Sequence, residues 1–509
     1  MSQTSNNKRI AKNTLMLYFR MILIMAVSLY TSRVVLEKLG VEDFGIYNVV
    51  AGVVVSFSII TNTLSGAISR FITFELGKNV IETVKNVIST SINIQLLLSI
   101  IVILLCETLG IWFLNTHLNI PEYRMQAANW VFQAAMASFV LRLLIVPFEA
   151  MIVAHEDMQI YAYMGIVETF LQLGIVFLLS ILPFDKLSSY SWLMVAVALV
   201  TLLVYIFYCK LKYAECSYSP HIHKKQFQEM MGFAGWNFLG TSAGILRKQG
   251  VDIVVNMFVG VTVNAARGVA TQIDTAICKF TSSFTTALKP QIIKSYSIGD
   301  YNRLFYLINQ GARFSFYLML FLAIPIILEM EIILNTWLKS VPDWAIFFSQ
   351  LQLSESIITV LSSTLIIGML ATGNIKKYQI VVSLIALFNF PLSLTFLYLG
   401  FPSYCTYLVA IILELACLFF RILMAHQLLS MDMSIFFKNV IVNAFLVGCV
   451  ACLFPLLIHL NMEYGYLRFF IVLLTSIVSC FASVFFIGLN KTEREFLNKI
   501  IKQKIIRRK

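Results

Sequence analysis

The sequence predicts an all-α polytopic membrane protein of about fourteen transmembrane helices, built as two parallel six-helix units followed by an extra helix pair. Hydropathy, the placement of basic residues and an internal repeat carry this expectation. Of the 509 residues, 59% are hydrophobic and 13% charged, whereas a soluble chain is about a quarter charged. Apolar runs succeed one another with short polar joints, at roughly 14–38, 44–76, 86–113, 125–153, 159–182, 190–213, 229–259, 264–289, 305–333, 344–371, 377–399, 404–427, 436–459 and 466–489. No stretch reads as a separate soluble domain. The N-terminal "MSQTSNNKRIAKN" is polar, and the run after it is too long for a signal peptide and lacks a small-residue cleavage site. It reads as a first membrane helix.

A net charge of +12 would point to nucleic acid in a soluble protein. Here the basic residues gather at alternate ends of the helices, which is the positive-inside pattern, and no nucleic-acid partner is expected. The joints on the N-terminal side hold Lys8, Arg9, Lys12, Lys78, Lys85, Lys210, Lys212, Lys224, Lys225, Lys294, Arg303, Lys376, Lys377, Arg421 and Lys438; the opposite joints offer Lys38, Arg124, Lys186, Lys339 and Arg468. With an even number of spans, both termini are expected in the cytoplasm. The tail "KIIKQKIIRRK" reads as a basic helix on anionic lipid or as a partner-binding segment. The nine cysteines are odd in number and mostly lie within apolar runs, so no disulfide framework is expected. Cys449 and Cys452 form a C-x-x-C without a neighbouring histidine and read as packing residues.

The repeat pairs "LGVEDFGIYNVV" (Leu39 to Val50) with "VGVTVNAARGVA" (Val259 to Ala270), and Phe71 to Ser89 with Ile292 to Gln310. Further on, "IVAHEDMQIY" (Ile152 to Tyr161) lines up with "LATGNIKKYQ" (Leu370 to Gln379). Six helices per unit is even, so both units enter from one side and the repeat is parallel. The expected organisation is roughly 1–213 for the first bundle, 214–228 for a cytoplasmic linker, 229–430 for the second bundle, 431–490 for the extra pair and 491–509 for a basic tail.

Charge within apolar runs marks the candidate site, because it is costly unless it faces protein or a water-filled cavity. The stretch from Phe233 to Lys294 is densest, with Arg247, Lys248, Asp252, Asp274 and Lys279. Arg20, Arg33, Arg267 and Lys289 lie close enough to helix ends to reach the headgroups. Arg70, Arg142, Arg247, Lys248 and Lys279 are deeper. Two readings stand for these: internal ion pairs, such as Lys248 with Asp252 four residues on, or ligands for an anionic substrate. The candidate cationic ligands are Arg33, Arg70, Arg142, Arg247, Lys248 and Lys279. Among the intramembrane acids Glu149, Glu168, Asp252, Asp274, Glu355 and Glu414, the roles open are neutralisation of arginines and H⁺ or Na⁺ coupling. Glu168, Asp252 and Asp274 are the coupling candidates; Glu168 has no basic residue within helical reach. Phosphate or carboxylate on the substrate would match so many cations. No P-loop, Asp-x-Asp pair or long extracytoplasmic loop is present, so no enzyme and no cofactor beyond a coupling ion is expected.

The opening "NKRIAKNTLMLYFRMILIMAVSLYTSRVVLEKLGVEDFGIYNVVAGVV" and the later "GVTVNAARGVATQI" and "TALKPQIIKSY" resemble Wzx-type polysaccharide-biosynthesis membrane proteins. These are flippases of the multidrug/oligosaccharidyl-lipid/polysaccharide (MOP) exporter superfamily. The likeness runs along essentially the whole chain, with the L-G-x-x-x-[FY]-G-x-[YF] turn at Leu39 to Tyr47 as its most specific sign. It implies a MATE-like fold of two bundles around a V-shaped cavity, and alternating access. It also implies transfer of a polyprenyl-pyrophosphate-linked oligosaccharide, an O-antigen or capsule repeat unit, from the inner to the outer leaflet of a bacterial cytoplasmic membrane. Membrane lipids, a polymerase and glycosyltransferases are the partners implied. A cation-coupled exporter of small molecules and a non-transporting assembly scaffold are the alternative readings.

Overall fold

The computed structural model describes residues 3–495 apart from 56, 79, 118, 119, 180, 182, 221, 222, 260, 339, 340 and 492. The basic tail from residue 496 onward lies outside the described residues. Every regular element among those described is helical. The chain divides into two compact units, Met1–Thr241 with Ile293–Gly299, and Ser242–Ile292 with Asp300–Lys509.

The first unit holds α1 (Gln3–Val55), α2 (Ser58–Gly77), α3 (Ile81–Leu105), α4 (Ile111–His117), α5 (Met125–Ala154), α6 (Met158–Leu178), α7 (Lys186–Lys212) and the first half of α8 (Lys224–Val259). The second holds the rest of α8, most of α9 (Val261–Ser297), α10 (Tyr301–Leu328), α11 (Met330–Trp337), α12 (Ala345–Val360), α13 (Ser363–Thr372), α14 (Lys376–Leu387), α15 (Asn389–Tyr398), α16 (Cys405–Leu429), α17 (Met433–Phe436), α18 (Asn443–Asn461) and α19 (Tyr466–Ser483). Single π-helical turns join α3 to α4 and α17 to α18.

Ten of the described segments are long and apolar enough to cross a membrane, eleven when α12 and α13, bent by 42°, count as one. The protein is therefore a multi-pass membrane protein. The expected spans that fall short are 44–76, 229–259 and 264–289. The last two form α8 and α9, of 36 and 37 residues, far longer than the roughly 20 residues a membrane needs. They fall short in hydropathy because they carry the polar residues of the candidate site.

Gly40 explains the turn signature. Its φ of 82° and ψ of 169° lie in a region open essentially to glycine alone, and they redirect the chain within α1. Residues 41–77 then answer to 261–297: each stretch ends one helix-joining turn before the next helix, α3 in one unit and α10 in the other. The later repeat also persists: α6 begins at Met158 and α14 at Lys376, in the register of the sequence alignment, while the positive-φ residues before them are one residue closer in spacing. Glu156 (φ 62°) closes the turn before α6 and Gly373 (φ 80°) the turn before α14. Five residues after each stands a tyrosine near an arginine: Tyr161 under Arg20, 4.1 Å from ring centroid to guanidinium, and Tyr378 under the electrostatic influence of Arg421.

Lipid tails are as apolar as leucine, so close approach and polar contacts hold membrane helices together. In the first unit, α5 is the most enclosed span, and its Phe132, Leu143 and Val131 share a core with Val102 of α3 and Leu187 of α7. Gly110 lies so near Phe132 that an added Cβ would come within 2.5 Å of its ring, and Gly165 meets the Arg20 guanidinium in the same way. In the second unit, α10 is enclosed and clamps α18 and α19 at both ends. At one end the buried Glu329 carboxylate receives His459 Nδ1 at 2.9 Å and Arg468 Nη2 at 3.1 Å. At the other, Arg313 donates to Glu493 at 2.6 Å and to the Gly488 carbonyl at 3.0 Å. Arg468, read from the sequence as a joint residue, is thus an internal partner.

The α5–α6 turn is tied to two other segments, α1 and the connector after α7. Arg9 donates to the His155 carbonyl at 2.7 Å and Asn13 to that of Glu156 at 3.2 Å. The His155 ring stacks on Tyr213 at 4.2 Å, with Nε2 2.8 Å from Glu215. Burial holds the His155 imidazole below its ordinary range, with Glu215 opposing.

Two predictions follow from these placements. Gly40→Ala should cost about 1–3 kcal/mol, lowering the melting temperature in detergent, while Gly174→Ala, with open space around it, should not; equal effects would refute the assigned backbone strain. Because the native His155 is harder to protonate than the unfolded one, its contribution is complete above about pH 6.5 and is lost as pH falls below that value. Thermal stability should drop between pH 7 and pH 5, and His155→Gln should flatten the drop; parallel curves would show that another group is responsible.

Candidate functional site

Two arginines and two glutamates form a charge-balanced cluster inside the second unit. Arg247 of α8 donates through Nη2 to Glu355 Oε1 of α12 at 2.9 Å, and its Nη1 lies 3.6 Å from Glu414 Oε2 of α16. Arg421, seven residues beyond Glu414 on the same helix face, donates to Glu414 Oε1 at 2.5 Å and to Ser362 Oγ at 2.8 Å. Ser362 is available because the helix breaks between α12 and α13, where its hydroxyl caps the Thr359 carbonyl. Isolated charges are too costly to bury, and each is answered here. Arg421, read from the sequence as a joint residue, is 8% exposed; pairing, not solvent, keeps it charged.

A second pair adjoins the first. Arg267 of α9 donates to Asp252 Oδ1 at 2.6 Å and to Thr406 Oγ1 at 3.0 Å, with its guanidinium 4.6 Å from the Tyr407 ring centroid. This overturns two expectations. Arg267 does not reach the headgroups, and Asp252 pairs with Arg267 rather than with Lys248. An arginine from the facing helix offers a planar fork that the flexible lysine on the same helix does not. Lys248 is exposed, and its charge acts on Asp274 of α9, which accepts hydrogen bonds from Ser356 Oγ at 2.5 Å and Cys278 Sγ at 3.4 Å. Arg247, Lys248, Arg267, Glu355, Gln352, Asn389, Thr406 and Tyr407 surround a cavity of about 40 Å³, room for a few waters.

One face of α9 is exposed over residues 268–282: Gly268, Gln272, Thr275, Lys279 and Ser282 recur at intervals of three or four residues. Lipid would not cover such a stripe, so at membrane depth it faces water. The Ser282 and Ser283 hydroxyls each donate to the Lys279 carbonyl at 2.9 Å, so their oxygen lone pairs remain outward as acceptors.

In the first unit, Arg142 of α5 pairs with Glu168 of α6 at 2.7 Å. Glu168 therefore has a basic partner, supplied by another helix. Arg142 also borders a cavity of about 220 Å³ lined by Tyr47, Ser138, Phe139, Ser191 and Met194. Arg70 is 6% exposed and lies within cation–π distance of Phe71, Phe74 and Phe233. The side chain of Arg33 lies outside the described residues. Arg247, Lys248, Asp252 and Asp274 thus come together, Lys279 stands further along α9, and Arg70, Arg142 and Glu168 belong to the other unit. Sequence reasoning named Glu355 and Glu414 without their partners; the seven-residue spacing of Glu414 and Arg421, two helical turns, was the available signal.

The fold is that of MATE-like transporters of the MOP superfamily. It superimposes on an outward-facing multidrug resistance MATE family transporter of that superfamily (TM-score 0.69, 13% identity, 84% of this chain and 96% of that one). It matches MATE in the straight conformation equally well (TM-score 0.71, 13% identity, 84% and 96%). A MOP superfamily transporter from Pyrococcus furiosus, described as having a binding pocket of reverse polarity, matches at a TM-score of 0.69 with 14% identity over 84% and 96%. No curated protein sequence matches. The chain belongs to the polysaccharide biosynthesis protein family, whose pattern it fits over residues 8–296, more than half its length. Its family and fold are those of transporters.

Removing one partner of a buried pair costs about 3–5 kcal/mol, so Glu414→Gln, which strands Arg421, should markedly lower the melting temperature. Lys212→Gln breaks a pair whose partners are both accessible, Lys212 and Asp157 with side chains 47% and 28% exposed, and should cost at most about 1 kcal/mol. Equal losses would contradict the burial assigned to the cluster.

Proposed function

We propose that the protein is a flippase that moves a polyprenyl-pyrophosphate-linked oligosaccharide, such as an O-antigen or capsule repeat unit, from the cytoplasmic to the periplasmic leaflet by alternating access. The reading places it in a bacterial cytoplasmic membrane with both termini cytoplasmic. Polysaccharide assembly supplies the substrate class, since its lipid-linked glycans must cross a membrane. The observation that carries the proposal is the water-facing polar side of α8 and α9, where the partly exposed Arg247 and the exposed Lys248 and Lys279 stand beside outward hydroxyl oxygens. Guanidinium and ammonium groups suit a pyrophosphate, and hydroxyl acceptors suit sugar hydroxyls. The polyprenyl chain remains in lipid, where it needs no polar site. Glycosyltransferases and a polymerase would supply and consume such a substrate.

Cells lacking the protein should accumulate polyprenyl-linked oligosaccharide on the cytoplasmic face, and the wild-type chain should reverse this. Arg247→Ala should reduce transport at least tenfold, the scale of about 1.4 kcal/mol from one charge-assisted contact. Lys279→Gln, which breaks none of the ion pairs described, should also impair it with membrane insertion intact. An unchanged leaflet distribution on deletion would instead favour a small-molecule exporter.

A further inference from the structure

Arg247 is shared unequally between its two carboxylates. Glu414 has a second and closer cation, Arg421 at 2.5 Å, itself anchored by Ser362. Glu355 has Arg247 at 2.9 Å and, more weakly, the Gln352 amide at 3.4 Å. Among the described residues, Arg247 is the only basic side chain within 4.0 Å of the Glu355 carboxylate. Arg247 is also the more accessible member of the pair, its side chain 23% exposed against 7% for Glu355, and both border the small cavity.

The charged groups acting most strongly on Glu355 are Arg247 from α8, Glu414 from α16 and Asp274 from α9. Tyr407 and Cys417 of α16 are also electrostatically coupled to it. None of these comes from α10 or α11, which also pack on α12. Of the three charged groups, only Arg247 favours a charged Glu355. If Arg247 turns toward an anion, Glu414 keeps its arginine, while Glu355 is left in a low-dielectric interior beside two like charges. Both conditions favour the neutral acid.

We infer that Glu355 links proton binding to substrate binding: an anion that takes Arg247 from Glu355 draws one proton from solvent onto that carboxylate. The inference rests on the reading of Arg247 as a pyrophosphate ligand, and it adds the sign of the coupling. The proton and the anion bind together, not in competition, because the anion and Glu355 compete for the same guanidinium. Linkage is reciprocal, so protonating Glu355 must free Arg247 and strengthen anion binding by the same factor. One fully linked proton gives up to a tenfold change in affinity per pH unit. This assigns coupling to Glu355, ahead of the sequence candidates Glu168, Asp252 and Asp274. Glu168 and Asp252 each pair with an arginine other than Arg247, and Asp274 is held by a serine hydroxyl.

The test is calorimetric titration of the purified full-length protein in detergent with inorganic pyrophosphate near pH 7, in buffers of different ionisation enthalpy. The buffer dependence gives the number of protons taken up. Wild type should take up as much as one proton more per anion than Glu355→Gln, while Glu355→Asp and Glu168→Gln should behave as wild type. Comparing variants cancels the titration of pyrophosphate itself. Equal proton numbers for wild type and Glu355→Gln would overturn the inference while leaving the anion site standing. No saturable pyrophosphate binding by wild type would overturn the anion reading and this inference together. An infrared difference spectrum of the wild type, which does not depend on a variant folding, should show a protonated-carboxyl band on binding pyrophosphate; its absence would also count against the proposal.

Discussion

A guanidinium held within a membrane protein is costly unless its charge is answered, and carboxylates that answer such charges arrange much of the second unit. Arg247, Arg421, Arg267, Arg313 and Arg468 each find an acid within the second unit, and every partner except Glu414 of Arg421 comes from a different helix. Lipid offers no hydrophobic gain for bringing helices together, so such contacts specify which faces meet. The break between α12 and α13 serves the same need, since it frees Ser362 to complete the shell of Arg421. In the function proposed above, Arg247 could serve as a ligand as well as a structural partner because Glu414 has a second arginine.

The architecture was largely legible in the sequence because a membrane imposes strong rules on composition. Long apolar runs, the turn at Gly40 and the paired segments gave a two-unit helical transporter, and the structure and family agree with that class. The span count was less legible, for the reason that makes α8 and α9 interesting: a helix facing water on one side loses its hydropathy signature. The repeat leading into α6 and α14 was visible in the sequence, and the two helices start in that register, but aligning letters does not reveal which residue adopts positive φ.

The site was half legible. Intramembrane charge drew attention to Arg247, Lys248, Asp252, Asp274 and Lys279, yet the pairing rule available in sequence, four residues along one helix, gave the wrong partner for Asp252. The true partners, Arg267 for Asp252 and Arg142 for Glu168, come from neighbouring helices that no local pattern connects. Arg421 and Arg468 were assigned to joints because positive charge near a helix end is usually solvated. Here each is buried and paired with a carboxylate, which its position near a helix end does not reveal.

The clamp on α18 and α19 bears on how this helix pair should be regarded. Glu329 follows the last residue of α10 and Arg313 lies near the middle of that helix, each almost fully enclosed and each answered chiefly by residues from the last part of the chain. Without the last part of the chain, neither charge would keep its partner, so the carboxylate and the guanidinium beside the inner helix and the segments that neutralise them depend on one another. A chain cut before α18 would therefore need apolar residues at both positions before it could stand alone.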